Sequence, residues 1–295
     1  MGVSPATDNT IPGPTLVTPP SATRRFDLRR VYTAGVLIPA VYIIIRYLPP
    51  WTLTILLMIG GALALIELYR ICLRTPQSSL LIGLGTMVSA LVLAREHIPL
   101  ATIHFWTLVT LTLPVAVMLS HGPFTHRLKD TALIAFGVLY VGFTLSTAVS
   151  TRLLEGGERL VLFLAIITWA GDTGAYYAGT LWGKHLLAPS ISPKKTIEGV
   201  GGGAGLAVGA ALVGHASFVP ELSLQDAVIL GLLLTGMGLA GDLWESAIKR
   251  RTGVKDSGTI LPGHGGMLDR LDSLLFTAPA FYYYVTCIRG ISPSP

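Results

Sequence analysis

Long apolar runs separated by short polar segments make up most of this chain of 295 residues. A helix needs about 20 apolar residues to cross a hydrocarbon core roughly 30 Å thick, and nine runs approach that length. These runs lie at 31–47, 51–72, 79–94, 99–119, 131–149, 159–181, 199–219, 224–243 and 271–289. The pattern predicts an all-α polytopic membrane protein with about nine transmembrane helices.

Composition supports that prediction. Hydrophobic residues make up 51% of the chain and charged residues 13%, whereas a soluble domain carries about 25% charged residues. Residues 1–22 are rich in Pro, Thr, Ser and Gly, which predicts a disordered tail, and we expect no cleavable signal peptide before the first run. We therefore divide the rest into an N-terminal transmembrane bundle, 23–150, and a C-terminal transmembrane region, 151–295, which carries the motifs described below.

The positions of the basic residues predict the orientation. A net charge of +5 could indicate a nucleic-acid partner, but most lysines and arginines lie in short loops, where they act as topology signals. If the N-terminus is cytoplasmic, 16 of the 21 lie on the cytoplasmic side. We therefore expect the C-terminus outside and no nucleic-acid partner. The two cysteines, Cys72 and Cys287, form no CxxC or Cys/His cluster, so neither a disulfide framework nor a zinc site is indicated.

The stretch from Ser246 to Asp272, SAIKRRTGVKDSGTILPGHGGMLDRLD, concentrates charge. It contains bases, acids and a Pro-Gly-His-Gly-Gly turn. Basic side chains and the backbone amides of a glycine turn bind a triphosphate, while clustered carboxylates hold the magnesium that accompanies it. Just before this stretch, Asp242 and Glu245 lie on neighbouring positions of one helical face, and they face a second acidic pair, Asp269 and Asp272.

The spacing of this stretch resembles the signature of phosphatidate cytidylyltransferases, also called CDP-diacylglycerol synthases. A second stretch, Trp169–Gly203, resembles the central motif of the same family; it places Asp172 inside an apolar run and Lys194 and Lys195 in the following loop. The resemblance covers about 110 residues, from 165 to 275. It implies an enzyme that transfers CMP from CTP to phosphatidic acid, giving CDP-diacylglycerol and pyrophosphate for phospholipid biosynthesis.

The resemblance also implies a location and an assembly. It implies a multi-pass protein among the lipids of a bacterial inner membrane, with its active site facing the cytosol and its region 151–295 catalytic. It implies a homodimer as well. The predicted orientation agrees, because it places the loops 182–198 and 244–270 together on the cytoplasmic side.

Roles for individual residues follow from the resemblance. The acids would hold a divalent metal, first Asp242 and Asp269, then Glu245 and Asp272, with Asp172 and Asp256 as further candidates. Phosphate contacts would come from Lys194, Lys195, Lys249, Arg250, Lys255 and Arg270. The signature also contains Ser246, the turn glycines Gly263, Gly265 and Gly266, and His264. His264 would contact phosphate or transfer a proton, and these two roles stay open.

Oxygen ligands without cysteine favour Mg²⁺ over zinc, and the identity of a second cation stays open. Ionisable groups inside a bilayer are costly, about 2.5–3.5 kcal/mol at a helix centre, so each needs a partner or an occupant. We expect Asp172 and Glu67 to be the two acids that lie deepest in the bilayer. A site role is favoured for Asp172, whereas a structural role and a site role remain equally open for Glu67.

Two other functions are compatible with parts of the pattern. A CTP-dependent polyprenol kinase would use the same nucleotide but transfer its γ-phosphate to a lipid alcohol. A transporter would also carry intramembrane carboxylates and glycine-interrupted runs. Transporters usually contain paired repeats, and neither motif has a second copy in the N-terminal half.

Overall fold

The computed structural model describes residues 28–73, 78–98, 101–119, 123–258 and 265–294. Within these ranges the helices are α1 Leu28–Tyr47, α2 Pro50–Cys72, α3 Ser78–Leu93, α4 Thr102–Leu119, α5 Phe124–Gly137, α6 Thr144–Arg152, α7 Gly157–Trp182, α8 Ile197–Ser217, α9 Leu224–Thr252 and α10 Leu268–Tyr283. Each of the nine predicted runs overlaps a helix, so the helical fold class is confirmed. The predicted tail, 1–22, lies outside the described residues.

Five helical segments of the described chain are long and apolar enough to cross a membrane. They are Pro50–Cys72, Phe124–Arg152, Gly157–Trp182, Ile197–Ser217 and Leu224–Thr252. The third of the predicted runs and part of the first form shorter apolar helices, Ser79–Leu93 and Ile38–Tyr47. The membrane class is therefore supported, while the number of nine spans and their orientation stay predictions.

The segment Phe124–Arg152 is one continuous helical rod, although it combines two helical forms. A π-helical turn, Val138–Phe143, joins α5 to α6, and a second π-helical turn, Tyr284–Ile288, follows α10. The fifth predicted run, 131–149, therefore covers only the central part of this rod.

Helix α9 is longer than its apolar run predicts. Ser223 and Asp226 form a capping box at its start, and Gly253, in the left-handed conformation with φ +77°, ends it. Three basic residues occupy its last turn, where they favour the negative end of the helix dipole. The prediction that the span ends at 243 and a loop follows is therefore wrong: Ser246, Lys249 and Arg250 are helical.

The segment between α7 and α8, which the sequence predicts as a loop, contains a β hairpin. Strands β1, Leu186–Ala188, and β2, Ser192–Thr196, pair antiparallel, with Leu186 opposite Thr196. The side chain of Thr196 then accepts a hydrogen bond from the Gly199 N–H and caps α8. The hairpin consequently presents Lys194 and Lys195 of β2 directly beside the start of α8.

Helices α7 and α8 approach each other through glycines. A Cβ added at Gly203 would lie 2.9 Å from the Gly171 carbonyl oxygen, and one added at Gly199 would lie 2.9 Å from the Ala175 carbonyl oxygen. Only a hydrogen atom fits at such contacts, and in membranes this close backbone packing replaces the hydrophobic effect as the source of helix association. The C-terminal end of α7 and the N-terminal end of α8 are therefore fixed next to each other.

Candidate active site

A cavity of about 660 Å³ opens where α7, the hairpin, α8, α9 and α10 meet. Its wall combines two kinds of residue. Apolar side chains of α7 and α9, among them Ile167, Leu234 and Leu239, line one part. Charged side chains line the rest: Asp172, Lys194, Lys195, Asp242, Asp269, Arg270 and Asp272. Seven residues predicted for the site from distant parts of the chain thus share one cavity.

Helix α7 contributes a polar stripe to this wall. Thr168, Asp172, Tyr176 and Thr180 all line the cavity, and their spacing of four residues places them on one helical face. Asp172 lies on this stripe and lines the cavity, and its depth in the bilayer stays a prediction. The two threonines and the tyrosine were missed, although polar residues at four-residue spacing in an apolar run would have indicated them.

Three carboxylates form a compact group at the junction of α9 and α10. One oxygen each from Asp242, Glu245 and Asp272 lies within 4.8 Å of the others. The Glu245 side chain is 1% exposed, and its Oε1 has no hydrogen-bond partner among the described residues. A buried carboxylate oxygen without a partner is costly, and hard oxygen donors suit Mg²⁺. The group therefore fits a divalent cation.

Two lysines bind the carboxylates of the cavity. Lys195 Nζ lies 2.6 Å from Asp242 Oδ2. Lys249 Nζ lies 2.6 Å from Asp269 Oδ1 and 3.0 Å from Glu245 Oε2. The side chain of Lys249 is only 12% exposed, so this ammonium group exchanges its hydration for the two carboxylates.

Asp269, expected beside Asp242 as a metal ligand, lies outside the group of three. Besides Lys249, its carboxylate accepts hydrogen bonds from the N–H groups of Gly266 at 2.9 Å and Ser257 at 3.3 Å. Asp269 lies two residues before the ninth predicted run, 271–289, and is therefore outside the predicted membrane-spanning segments. Burial alone would raise the pKa of Asp269, but hydrogen bonds from the Lys249 ammonium and the Gly266 N–H hold it below its usual range.

The remaining predicted residues that the structure describes do not line the cavity. Ser246 Oγ donates to Asp242 Oδ1 at 3.3 Å, and Arg250 Nε donates to the Ile191 carbonyl of the hairpin at 3.3 Å. Lys255 and Asp256 are exposed and do not line the cavity. Gly265 adopts φ +83°, a conformation that favours glycine. Gly263 and His264 lie outside the described residues.

Glu67 of α2 is 3% exposed, which confirms its predicted burial. Its carboxylate accepts hydrogen bonds from the N–H groups of Met267 and Leu268, at 3.0 and 2.9 Å, and from Ser257 Oγ at 2.9 Å. The partners of this acid, which the sequence left open, therefore belong to the signature stretch.

Comparison with known proteins adds an observation that does not depend on this geometry. The model of the family described as "Cytidylyltransferase family" matches residues 28–288. A phosphatidate cytidylyltransferase of Bacillus subtilis is 31% identical over 268 residues, which cover 87% of this chain and 97% of that protein.

Two further relatives match about half of the chain. The uncharacterized protein YnbB of Escherichia coli is 43% identical over 163 residues, 54% of each chain. A phosphatidate cytidylyltransferase of Staphylococcus epidermidis is 45% identical over 150 residues, 51% of this chain and 57% of that protein. The chain therefore aligns along nearly the whole Bacillus protein, but along little more than half of the other two.

Proposed function

The chain belongs to the cytidylyltransferase family, and from that premise we propose that it transfers CMP from CTP to phosphatidic acid, giving CDP-diacylglycerol and pyrophosphate. The name of the Bacillus subtilis relative, which aligns along 97% of its length, supports this activity. The single observation that carries the proposal is the cavity, because clustered carboxylates, lysines and an apolar wall share one space in a membrane protein.

The reaction requires two polyanions to meet. A phosphatidate oxygen attacks the α-phosphorus of CTP, a new P–O bond forms, and the bond to the pyrophosphate oxygen breaks with its electron pair. Phosphatidate is already ionised at neutral pH, so no strong base is needed. Coulomb repulsion is the main obstacle, and positioning together with charge neutralisation is what the site must supply.

Different residues of the cavity bind the two substrates. Lys194 and Arg270 line it and are suited to phosphate oxygens, Lys as a point charge and Arg as a bidentate donor. Lys195 holds the Asp242 carboxylate in place. The apolar part of the wall, with Ile167 and Leu234, supports a lipid as the second substrate.

Asp242, Glu245 and Asp272 would hold Mg²⁺, which when bound supplies charge neutralisation for the phosphates. The support is the short spacing of their oxygens and the lack of a partner for Glu245 Oε1 in the part of the chain that the structure describes. Lys249 has a separate role, because it keeps Glu245 and Asp269 at fixed distances from one another.

The activity is tested with purified protein, phosphatidate and CTP labelled on either the α- or the γ-phosphate. We expect α-label in the lipid product, no γ-label, and loss of product when a chelator removes Mg²⁺. Label from the γ-phosphate in lipid would instead identify a lipid kinase. Uptake into liposomes without any lipid turnover would identify a transporter.

The orientation is part of the same proposal: nine spans in a bacterial inner membrane, with the N-terminus and the cavity on the cytosolic side. The excess of basic residues at one set of loops supports it. In a Cys72→Ser, Cys287→Ser background, a membrane-impermeant thiol reagent should label Arg251→Cys only from the cytosol and Glu155→Cys only from outside. Labelling of Arg251→Cys from outside would overturn the orientation.

A homodimer, implied by the family resemblance, is also proposed. Light scattering of the purified protein in detergent measures the mass, and a monomer that retains full activity would contradict the homodimer.

A further inference from the structure

The side chain of Glu67 joins two distant parts of the chain. It belongs to α2, in the N-terminal bundle, whereas its partners Ser257, Met267 and Leu268 follow it by 190 residues or more. Both carboxylate oxygens are used: Oε1 accepts from Met267 N–H, and Oε2 accepts from Leu268 N–H and Ser257 Oγ. Because Glu67 is only 3% exposed, these hydrogen bonds replace the hydration of its carboxylate.

The partners lie on both sides of the segment 259–264. Ser257 comes just before it, while Met267 and Leu268 come just after it, at the start of α10. Negative charge is favourable at a helix N-terminus, where N–H groups lack intrahelical acceptors. One carboxylate thus ties the two ends of this connection to α2 and, at the same time, caps α10.

Two glycines of the signature make this arrangement sterically feasible. A Cβ added at Gly258 or at Gly266 would overlap the Glu67 carboxylate, and at Gly266 it would also overlap Ser257 Oγ. Neither glycine has a positive φ, so backbone conformation does not require them. Close approach of the backbone to Glu67 does.

Hydrogen bonds continue from these ends to the cavity. The N–H groups of Ser257 and Gly266 donate to Asp269 Oδ2 at 3.3 and 2.9 Å. Asp269 Oδ1 in turn binds Lys249, which also binds Glu245 of the carboxylate group. An unbroken series of contacts therefore links α2 to the site without Glu67 lining the cavity.

From this series we propose that Glu67 is a positioning residue for CMP transfer. It fixes both ends of the segment 259–264 so that Asp269, and through Lys249 also Glu245, keep their places. The proposal rests on the proposed function for its catalytic consequence. The anchoring of Ser257, Met267 and Leu268 to Glu67 is a structural statement that can be measured without any activity.

Glu67→Gln is the main test, because it keeps the volume but removes the charge and turns one acceptor into a donor. Removing a supporting partner of a metal site typically costs 10- to 100-fold, so we expect kcat to fall roughly 10-fold or more and the Mg²⁺ concentration for half activation to rise several-fold. We also expect trypsin to cleave after the exposed Lys255 several times faster, with unchanged cleavage after the exposed Lys184 of the hairpin.

Asp226→Asn is the matched control. Asp226 is another buried carboxylate that caps a helix and accepts several hydrogen bonds, but it lies at the start of α9, at the end of that helix opposite to Glu245. The Asp226→Asn variant should have a lower melting temperature but an unchanged Mg²⁺ requirement and unchanged cleavage after Lys255. If Glu67→Gln behaves in the same way, Glu67 is only structural and the proposal is overturned.

Ser257→Ala keeps the proposal testable if Glu67→Gln fails to insert. It removes the side-chain donor to Glu67 that precedes the segment 259–264, and it should shift the Mg²⁺ requirement and the cleavage after Lys255 in the same direction, by a smaller factor. Unchanged values would contradict the proposal. If the wild-type protein makes no CDP-diacylglycerol, the proposed function fails, and faster cleavage after Lys255 in Glu67→Gln would still support the anchoring.

Discussion

The two ends of α9 carry buried carboxylates in opposite states. In its first turn, Asp226 accepts hydrogen bonds from Ser223 N–H, Ser223 Oγ and Tyr284 OH, and it pairs with Arg289 Nε at 3.1 Å. About 28 Å further along the helix, at ~1.5 Å per residue, Glu245 binds Lys249 through one oxygen while the other has no partner among the described residues.

The difference separates a structural acid from a functional one. At Asp226 every oxygen is satisfied within the protein, so a ligand would have to displace existing bonds. At the other end three carboxylates lie close together, and Glu245 Oε1 has no hydrogen-bond partner among the described residues. Buried polar groups that lack partners need an explanation, and a cation with bound phosphates supplies one here.

Removing one acid from the group Asp242, Glu245 and Asp272 should have the largest effect on activity. Asp242→Asn and Asp272→Asn each delete a charge without changing volume, and we expect at least about a 100-fold loss of kcat, as for the loss of a group that stabilises transition-state charge. Formation of CDP-diacylglycerol by membranes with equal protein content measures it. Asp269→Asn should lose less than Asp272→Asn, because Asp269 lies outside the group of three, and the reverse order would assign the metal to Asp269.

Lysines of the cavity should have the next largest effect. Lys195→Ala frees Asp242 from its ion pair, and charge-assisted bonds are roughly twice as strong as neutral ones. We expect kcat/KM for CTP to fall about tenfold. In Lys194→Ala the value of kcat/KM should fall less, because Lys194 is exposed.

Lys129→Ala is the control for general electrostatics. Lys129 is exposed on α5 and senses only the surface potential, worth about 1 kcal/mol near an anionic membrane. Equal losses of kcat/KM in Lys129→Ala and Lys195→Ala would show that the hairpin acts only through its general surface charge.

Changing Asp226, at the start of α9, should lower the stability of the protein rather than its activity. Asp226→Asn places an amide group where Ser223 and Tyr284 both donate, and a buried group left unsatisfied costs about 1–3 kcal/mol. The melting temperature in detergent should fall by several degrees. Turnover per folded molecule at a temperature well below melting should remain that of the wild type, and a loss there would connect Asp226 to the site.

Deleting residues 2–20 should have the smallest effect. The segment contains no charged residue except Asp8 and none of the motif residues. Activity and melting temperature should both match the full-length protein, and a loss of more than a few-fold would show that the tail contributes to the site.

Local patterns predicted the helices and the membership of the site well. Apolar runs marked each helix. The two motifs marked Asp172, Lys195 and Asp272, and the acidic pair just before the stretch Ser246–Asp272 marked Asp242; the cavity brings these residues together. The end of α9 was missed because Asp242–Arg251 is too polar to extend an apolar run, although Gly253 and the preceding basic residues are ordinary signals of a helix end.

Long-range contacts could not be predicted. The distance between Glu67 and Ser257 along the chain leaves no periodic signal, and an apolar run does not reveal which of its faces lines a cavity. The pairing of Lys249 with Asp269 likewise joins residues of two different helices, which no local pattern reveals.

Glycines on α8 are of two kinds, which divides the helix by its tolerance to mutation. On the face towards α7, a methyl group at Gly199 or Gly203 would press on a backbone carbonyl, whereas a Cβ at Gly201, Gly205 or Gly209 would meet nothing within 4 Å. In a saturation library selected for activity, the first kind should remain glycine and the second should drift freely. The positions that remain glycine in the surviving sequences would recur at helical spacing and so identify the face of α8 that contacts α7, without any structure determination.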